Sequence, residues 1–542
     1  MKKWLKTTAA VSLTTTLILS ACGKTEDNKP ADGTASPSNT PAATATTPVK
    51  EKLALTWTTY STDANAVLPS ADKDFVKKKI EEKFNVTLKL EYGAAGPDFQ
   101  NKLNLKMSSG DALDLFHSDG AGSNKYMLDK AVVDLAKYIN PQTMPNYYKW
   151  VTKEELKRYQ MQGGDFFLRA PIIWPKQQFQ AYYARKDWLD KLGLKVPTNY
   201  DELINVMKAF TFNDPDGNGK NDTYGFTTAG NGTAVSRSFP EWFKYGFGAG
   251  FYIDENNNFI DTGSNLRTGQ ILDDIRKTVD MKIVDPDWFL NKAGQDLDKV
   301  YQGKVGIFYS AARDAGFDNA VNSVKKKTKD LLKDDKIDFV PFHIAGNTPV
   351  SYEALPGTPF MIGAKTPENK IVRTLEIMDW LASEEGFLLT HYGQEGVHYK
   401  KEGNKITLIP DAYKKDIVDN GNFLSIYSSI MAPGIIDLSP IGLERIDPNE
   451  TDHDRKILDS FKSNKYYLLG TNVAPPPGLD IGSFRTEQNK LHVKLMFDDK
   501  NATNWPKYHE ELMVKYKGKE IFGAYGEQVT AVLNKKVVFK AD

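Results

Sequence analysis

A single cysteine, Cys22, stands in a chain of 542 residues. One thiol closes no intrachain disulfide, so a disulfide scaffold is excluded, and so is redox catalysis by a dithiol pair. Neither sign of charge is in excess: 70 Lys and Arg face 70 Asp and Glu, and no long basic run occurs. That removes the electrostatic case for a nucleic-acid partner. The seven histidines show no His-x-x-x-His or related ligand spacing,. There is no Gly-x-Ser-x-Gly elbow and no Walker-type phosphate loop,. The apolar stretch at residues 9–19 is shorter than the roughly 20 residues a spanning helix needs.

What is there begins at the N-terminus. The basic stretch Met1-Lys2-Lys3-Trp4-Leu5-Lys6, the apolar segment behind it and the small residues Ser20-Ala21 have the three-part grammar of a secretory signal peptide, residues 1–21,. Leu19-Ser20-Ala21-Cys22 resembles the bacterial lipobox, in which cleavage falls before the cysteine and the thiol carries diacylglycerol. Two or three acyl chains on Cys22 hold a protein on a membrane without a spanning helix. Residues 22–52 then form a Pro-, Ala-, Ser- and Thr-rich tether that buries too little apolar surface to order itself. The rest of the chain exceeds the 250–300 residues, roughly, at which single cores stop growing, so two lobes are expected.

Along the mature chain, Leu53-Ala54-Leu55-Thr56-Trp57 reads as a buried strand. Phe75, Ile80 and Phe84 share one face of a helix, and Val86 to Tyr92 alternates with period two,. Phe99, Leu103 and Met107 mark a second helix stopped by Gly110; Leu113-Asp114-Leu115-Phe116 is a third strand ending in the turn His117-Ser118-Asp119-Gly120,. Alternating strands and helices in this order predict an α/β fold with a parallel sheet. Ligands of such sheets bind beyond the carboxyl ends of the strands, which makes Tyr60, His117 and Asp119 candidates.

Further along, Gln180 to Leu194, the helix start Val196-Pro197-Thr198-Asn199-Tyr200-Asp201-Glu202-Leu203, the stretch Tyr301-Gln302-Gly303-Lys304-Val305-Gly306-Ile307-Phe308, and the pair Asn369-Lys370 with Ser383-Glu384-Glu385-Gly386 resemble the extracellular solute-binding proteins of bacterial ABC importers. They are most similar to the LipO-like, sugar-binding lipoproteins of Gram-positive bacteria, in the family that includes maltose-binding protein. The resemblance implies a two-lobed, periplasmic-binding-protein-like fold of type II, with the ligand cleft between lobes joined by a multi-crossing hinge. The N-terminal lobe would take residues 53–178 and 357–410, the C-terminal lobe 179–356 and 411–542. It also implies a monomeric, non-catalytic receptor, lipid-anchored on the extracellular face of the cell membrane. Such a receptor passes an oligosaccharide to the permease subunits of the importer.

A sugar presents hydroxyl groups and flat C–H faces, so its cleft needs aromatic platforms beside fixed donors and acceptors. Trp174, Trp242, Tyr245, Trp288, Tyr309 and Arg313 lie in segments expected to line it, whereas Trp188 and Trp380, on apolar helices, read as core. Asp214, Asp216, Asn218, Lys220 through its carbonyl, and Asp222 follow the spacing of the first three-quarters of an EF-hand calcium loop, with Gly219 at position six,. Gly225 replaces the bidentate Glu at position twelve, and Thr223 holds the tenth place, where some alginate- and other sugar-binding members of the family it resembles carry an acidic residue in a similar calcium loop. The expectation is a structural Ca²⁺, against a plain Asp/Asn/Gly turn.

Two rivals remain at this level. A glycoside hydrolase needs two carboxylates across a cleft, which sequence neither shows nor excludes. A peptide receptor on the same scaffold needs charged anchors for peptide termini, and Asp119 with Arg313 would serve. The anchor is directly testable: Cys22→Ala should release the protein from the membrane fraction, and an acylated variant still sedimenting with membranes would remove the lipobox reading.

Overall fold

The alternation read in residues 86–92 builds a parallel pair, with the strand Leu53–Ser61 running beside Val86–Ala94. A computed structural model describes residues 50–542 except 62, 95, 112, 119–121, 160–167, 321, 345 and 347. The signal segment, Cys22, nearly all of the tether and Asp119 lie outside the described residues. Among those described, no helix is long and apolar enough to cross a membrane.

The first sheet has five strands, ordered Val86–Ala94, Leu53–Ser61, Leu115–His117, Pro359–Met361 and Ala170–Pro171. The first three are parallel, and Pro359–Met361 joins antiparallel to its neighbours on both sides. Leu53, Leu55 and Trp57 point into the core. The third strand begins at Leu115, two residues later than expected. Asp114 Oδ2 accepts the Thr56 amide (2.8 Å) and the Lys370 ammonium (3.1 Å), so a side chain takes the place of a ladder carbonyl there. The helix Phe75–Phe84 is capped by Asp74, whose carboxylate accepts from the Lys77 amide, and ends on Asn85 in the left-handed region. Val76 and Ile80 form its buried stripe, and Phe84 packs edge-on against Trp380.

The second sheet is ordered Phe339–Phe342, Ala181–Arg185, Val305–Ser310 and Tyr224–Phe226. On it packs the helix Tyr200–Phe212, started by Asn199, whose side chain accepts from the Glu202 amide (3.0 Å). The approach is so close that a Cβ on Gly306 would overlap the Phe210 ring, which is why the strand carries glycine there,.

Each sheet has its own core. The first contains residues from 53–174 and 360–443, and the second, in two adjoining clusters, from 181–344 and 457–537. The chain therefore passes between them three times. The expected boundary at residue 410 does not coincide with these cores: residues 411–443 belong with the first. The helix Leu424–Met431 lies on the first strand, where Tyr427 donates to Asp74 Oδ2 (2.6 Å) and the Ser61 and Ser425 hydroxyls meet at 3.1 Å.

At the crossings Ser351–Tyr352 runs parallel to Tyr466–Tyr467, and the next residue, Glu353, ties three segments together. Its Oε1 accepts the amides of Leu469 (2.8 Å) and Gly470 (2.7 Å), and its Oε2 faces Arg158 at 3.1 Å. Glu353→Ala strands both amides and the guanidinium. We expect a loss of about 2–4 kcal/mol in denaturant unfolding, with Glu353→Gln costing about half as much because a carbonyl acceptor survives. An unmoved midpoint for the alanine variant would show that the clip holds nothing.

Candidate functional site

Beside the first two crossings opens a cavity of about 640 Å³, within the range of roughly 300–1,000 Å³ typical of small-molecule sites. Both cores contribute to it. Trp174 and Phe179 come from the first crossing and Tyr352 from the second; Phe251 packs against the second core, and the exposed Ile436 follows Ile435 of the first. These side chains give apolar walls on several sides. The amides of Gln177, Gln178 and Asn472 supply donors and acceptors among them,.

Each wall is fixed from behind. The Trp174 indole donates to the Ala354 carbonyl (2.9 Å), and the Lys176 ammonium stands 5.2 Å from its ring centre. Lys176 is itself paired with Glu155 (2.7 Å). Arg313 lies over the Phe317 ring at 5.1 Å and pairs with Glu450 at 2.6 Å; Arg445 meets the same Glu450 oxygen at 3.2 Å. Glu353 also borders the cavity while performing its clip.

Of the residues singled out from sequence, Trp174 and Arg313 line this cavity. Tyr60 is half-buried and donates to the Thr358 hydroxyl (3.1 Å); burial raises its pKa. His117 is fully buried with Nε2 at 2.9 Å from the Ile430 carbonyl, and burial lowers its pKa to about 4, so the ring stays neutral. Trp242 is wholly enclosed, its indole donating to Ser236 O (3.1 Å) under the Arg237 guanidinium. Trp288 packs edge-on to Phe239 and flat against Phe497. Neither lines the cavity; both are core. Tyr309 is wedged between Tyr182 and Phe243, and Tyr245 donates to Asp274 (2.8 Å) on another face. Asp119 is outside the described residues. Phe251, Tyr352 and Asn472 were missed. The polar run Lys176-Gln177-Gln178, set between two buried stretches, was the one legible signal.

The candidate calcium loop is drawn tight. Asp214 accepts the amides of Gly217, Asn218 and Gly219 at 3.0–3.1 Å, and both glycines have φ of +77°. The Asn218 side-chain nitrogen sits between Asp216 Oδ2 (2.7 Å) and Asp222 Oδ1 (3.1 Å). Burial, the hydrogen bond with Asp214 and the charge of Asp222 push the Asp216 carboxyl up. A donor thus stands among carboxylates that repel one another, and this oxygen set suits a hard cation. Thr223 and Gly225 add no ligand: the Thr223 hydroxyl donates to Phe210 O (2.8 Å), and Gly225 lies in the strand Tyr224–Phe226. A second acidic group, Asp318 with His453 and Asp454, lies around the Lys325 ammonium, which pairs with Asp318 (2.6 Å) and Asp338 (2.7 Å).

A family model described as bacterial extracellular solute-binding protein matches residues 62–386. The fructooligosaccharide ABC transporter substrate-binding protein FusA of Streptococcus pneumoniae is 28% identical over 324 residues, 56% of this chain and 57% of its own. The polygalacturonan/rhamnogalacturonan-binding protein YtcQ of Bacillus subtilis is 28% identical over 248 residues, 44% and 46%. Lipoprotein LipO of Bacillus subtilis is 27% identical over 235 residues, 40% and 44%. The matches span about half the length of these relatives. Among solved structures, an HMO-binding ABC-transporter-associated solute-binding protein of Bifidobacterium longum infantis aligns with a TM-score of 0.69 at 18% identity, over 90% of this chain and all of that one. An EF-hand mutant of FusA from S. pneumoniae with fructo-nystose aligns at 0.60 and 19% identity, over 89% and 99%. These likenesses establish the two-lobed α/β fold.

The placements separate two tryptophans by experiment. Trp242→Ala should cost about 3–5 kcal/mol of stability and leave affinity per folded molecule unchanged. Trp174→Ala should weaken solute binding by roughly 1–3 kcal/mol. Calorimetry and denaturation on both variants decide it, and equal affinity losses would refute the assignment.

Proposed function

Because the chain belongs to the family of bacterial extracellular solute-binding proteins, we propose that it is the receptor of an ABC importer. It captures an oligosaccharide between its two lobes, passes it to the membrane permease and performs no catalytic step. The observation that carries this reading is the cavity at the crossings, with aromatic faces for the C–H surfaces of sugar rings and side-chain amides for their hydroxyls,. Two relatives whose names specify carbohydrate ligands support the class. The lobes take residues 53–178 with 357–443 and 179–356 with 444–542, and ligand shifts a hinge equilibrium toward closure.

In the same reading the protein is a monomer held on the extracellular face of the membrane by lipid on Cys22. The lipobox-like Leu19-Ser20-Ala21-Cys22 and the similarity to lipoprotein LipO support the anchor. Asp214, Asp216, Asn218, Asp222 and the Lys220 carbonyl hold a structural Ca²⁺. The repulsion within the loop and the EF-hand of the FusA neighbour support this part.

One thermal-shift experiment on the mature chain tests both parts. A bound oligosaccharide at 100 times its Kd adds about 2.7 kcal/mol to stability, so a member of an oligosaccharide panel should raise the melting temperature while peptides leave it unmoved. A chelator should lower the melting temperature and calcium restore it, with Asp216→Ala abolishing the difference. A peptide response without a sugar response would replace the ligand class; indifference to chelator would reduce the loop to a turn.

A further inference from the structure

Every formal charge described at the cavity is already matched by an opposite one. Two charged side chains border it, Arg313 and Glu353. Arg313 shares Glu450 with Arg445, and Arg445 also pairs with Asp447 at 2.5 Å. Glu353 is balanced by Arg158, and Lys176, above Trp174, by Glu155. Four cations thus face four carboxylates. The pair at the cavity wall is shielded, with the side chains of Arg313 and Glu450 18% and 15% exposed, while Lys176, which is not among the lining residues, is 49% exposed.

We infer that the ligand is a neutral oligosaccharide, and that this charge-matched cavity discriminates against uronate-bearing chains. The inference rests on the receptor reading given above and specifies its ligand class. A uronate brings one carboxylate per residue into a cavity where that charge loses water. It is held there only if a guanidinium or ammonium is free to meet it. Here Arg313 would have to leave Glu450, breaking a shielded pair to form another and gaining nothing net. A neutral sugar makes no such demand. Its hydroxyls use the Gln177, Gln178 and Asn472 amides, and its ring faces lie against Trp174, Phe251 or Tyr352.

The test is calorimetric titration of the mature chain with neutral oligosaccharides (fructo-, malto- and xylo-oligosaccharides) and with oligogalacturonides of equal length. The expected result is a neutral ligand bound at least about 100-fold more tightly than any oligogalacturonide, the order set by desolvating a carboxylate without a partner. That affinity should be insensitive to ionic strength, since no net charge is matched. Glu450→Gln, which leaves Arg313 and Arg445 in excess of their carboxylates, should raise the ratio of acidic to neutral affinity by about tenfold or more. An oligogalacturonide that binds as tightly as the best neutral sugar, with affinity falling as salt rises, overturns the inference while the sugar-receptor reading stands. Binding of neither class overturns both together.

Discussion

One carboxylate gathers three separate segments of the chain where it crosses between the two cores. Glu353 sits where the second crossing meets the returning chain, and through two backbone amides and Arg158 it joins the first core to the segment around Gly470. A carboxylate suits this place because its two oxygens accept several donors at once, and a charge-assisted hydrogen bond is stronger than a neutral one. Two strands of two residues each, Ser351–Tyr352 and Tyr466–Tyr467, are too short to fix the crossings by their ladder alone. The cavity opens beside this clip, so the same residue that holds the hinge also borders the site.

The cavity's walls follow from that geometry. Trp174 and Tyr352 reach the cavity because they leave a sheet at the point where the chain changes lobe. The Trp174 indole is held by the Ala354 carbonyl and the Tyr352 backbone by its strand, so the aromatic faces are in place before any ligand arrives,. Ion pairing does for the polar side what packing does for the aromatic side: Arg313 is fixed between Phe317 and Glu450, neutral in sum and locked in direction.

Much of the fold was legible because it is local. Period-two alternation at Val86 to Tyr92, the Asn199 helix start and the glycine stop at Gly110 each act over a few residues, and each stands where the sequence placed it. The site was less legible. Trp174 and Arg313 reach the cavity, while Trp242, Trp288 and Tyr309 fill the second core. A tryptophan before a turn looks the same in sequence whether its ring faces solvent or a neighbouring helix. The packing of residues 411–443 with the first core was not legible for a related reason. The helix Leu424–Met431 is apolar enough for either core, and the Tyr427 to Asp74 hydrogen bond that assigns it spans most of the chain.

The sequence by itself determined the order and kind of elements, the oxygen-rich loop at Asp214 to Asp222, the balance of charge and the resemblance to solute-binding proteins, because each is written in adjacent residues or in totals. Only the tertiary structure decided which aromatic residues face the cavity, which charges there cancel, and which core residues 411–443 pack with. Those are matters of pairing between residues as distant as Arg313 and Glu450, or Glu353 and Arg158. Arg158 meets its partner only at the second crossing, and Arg313 meets Glu450 only at the third.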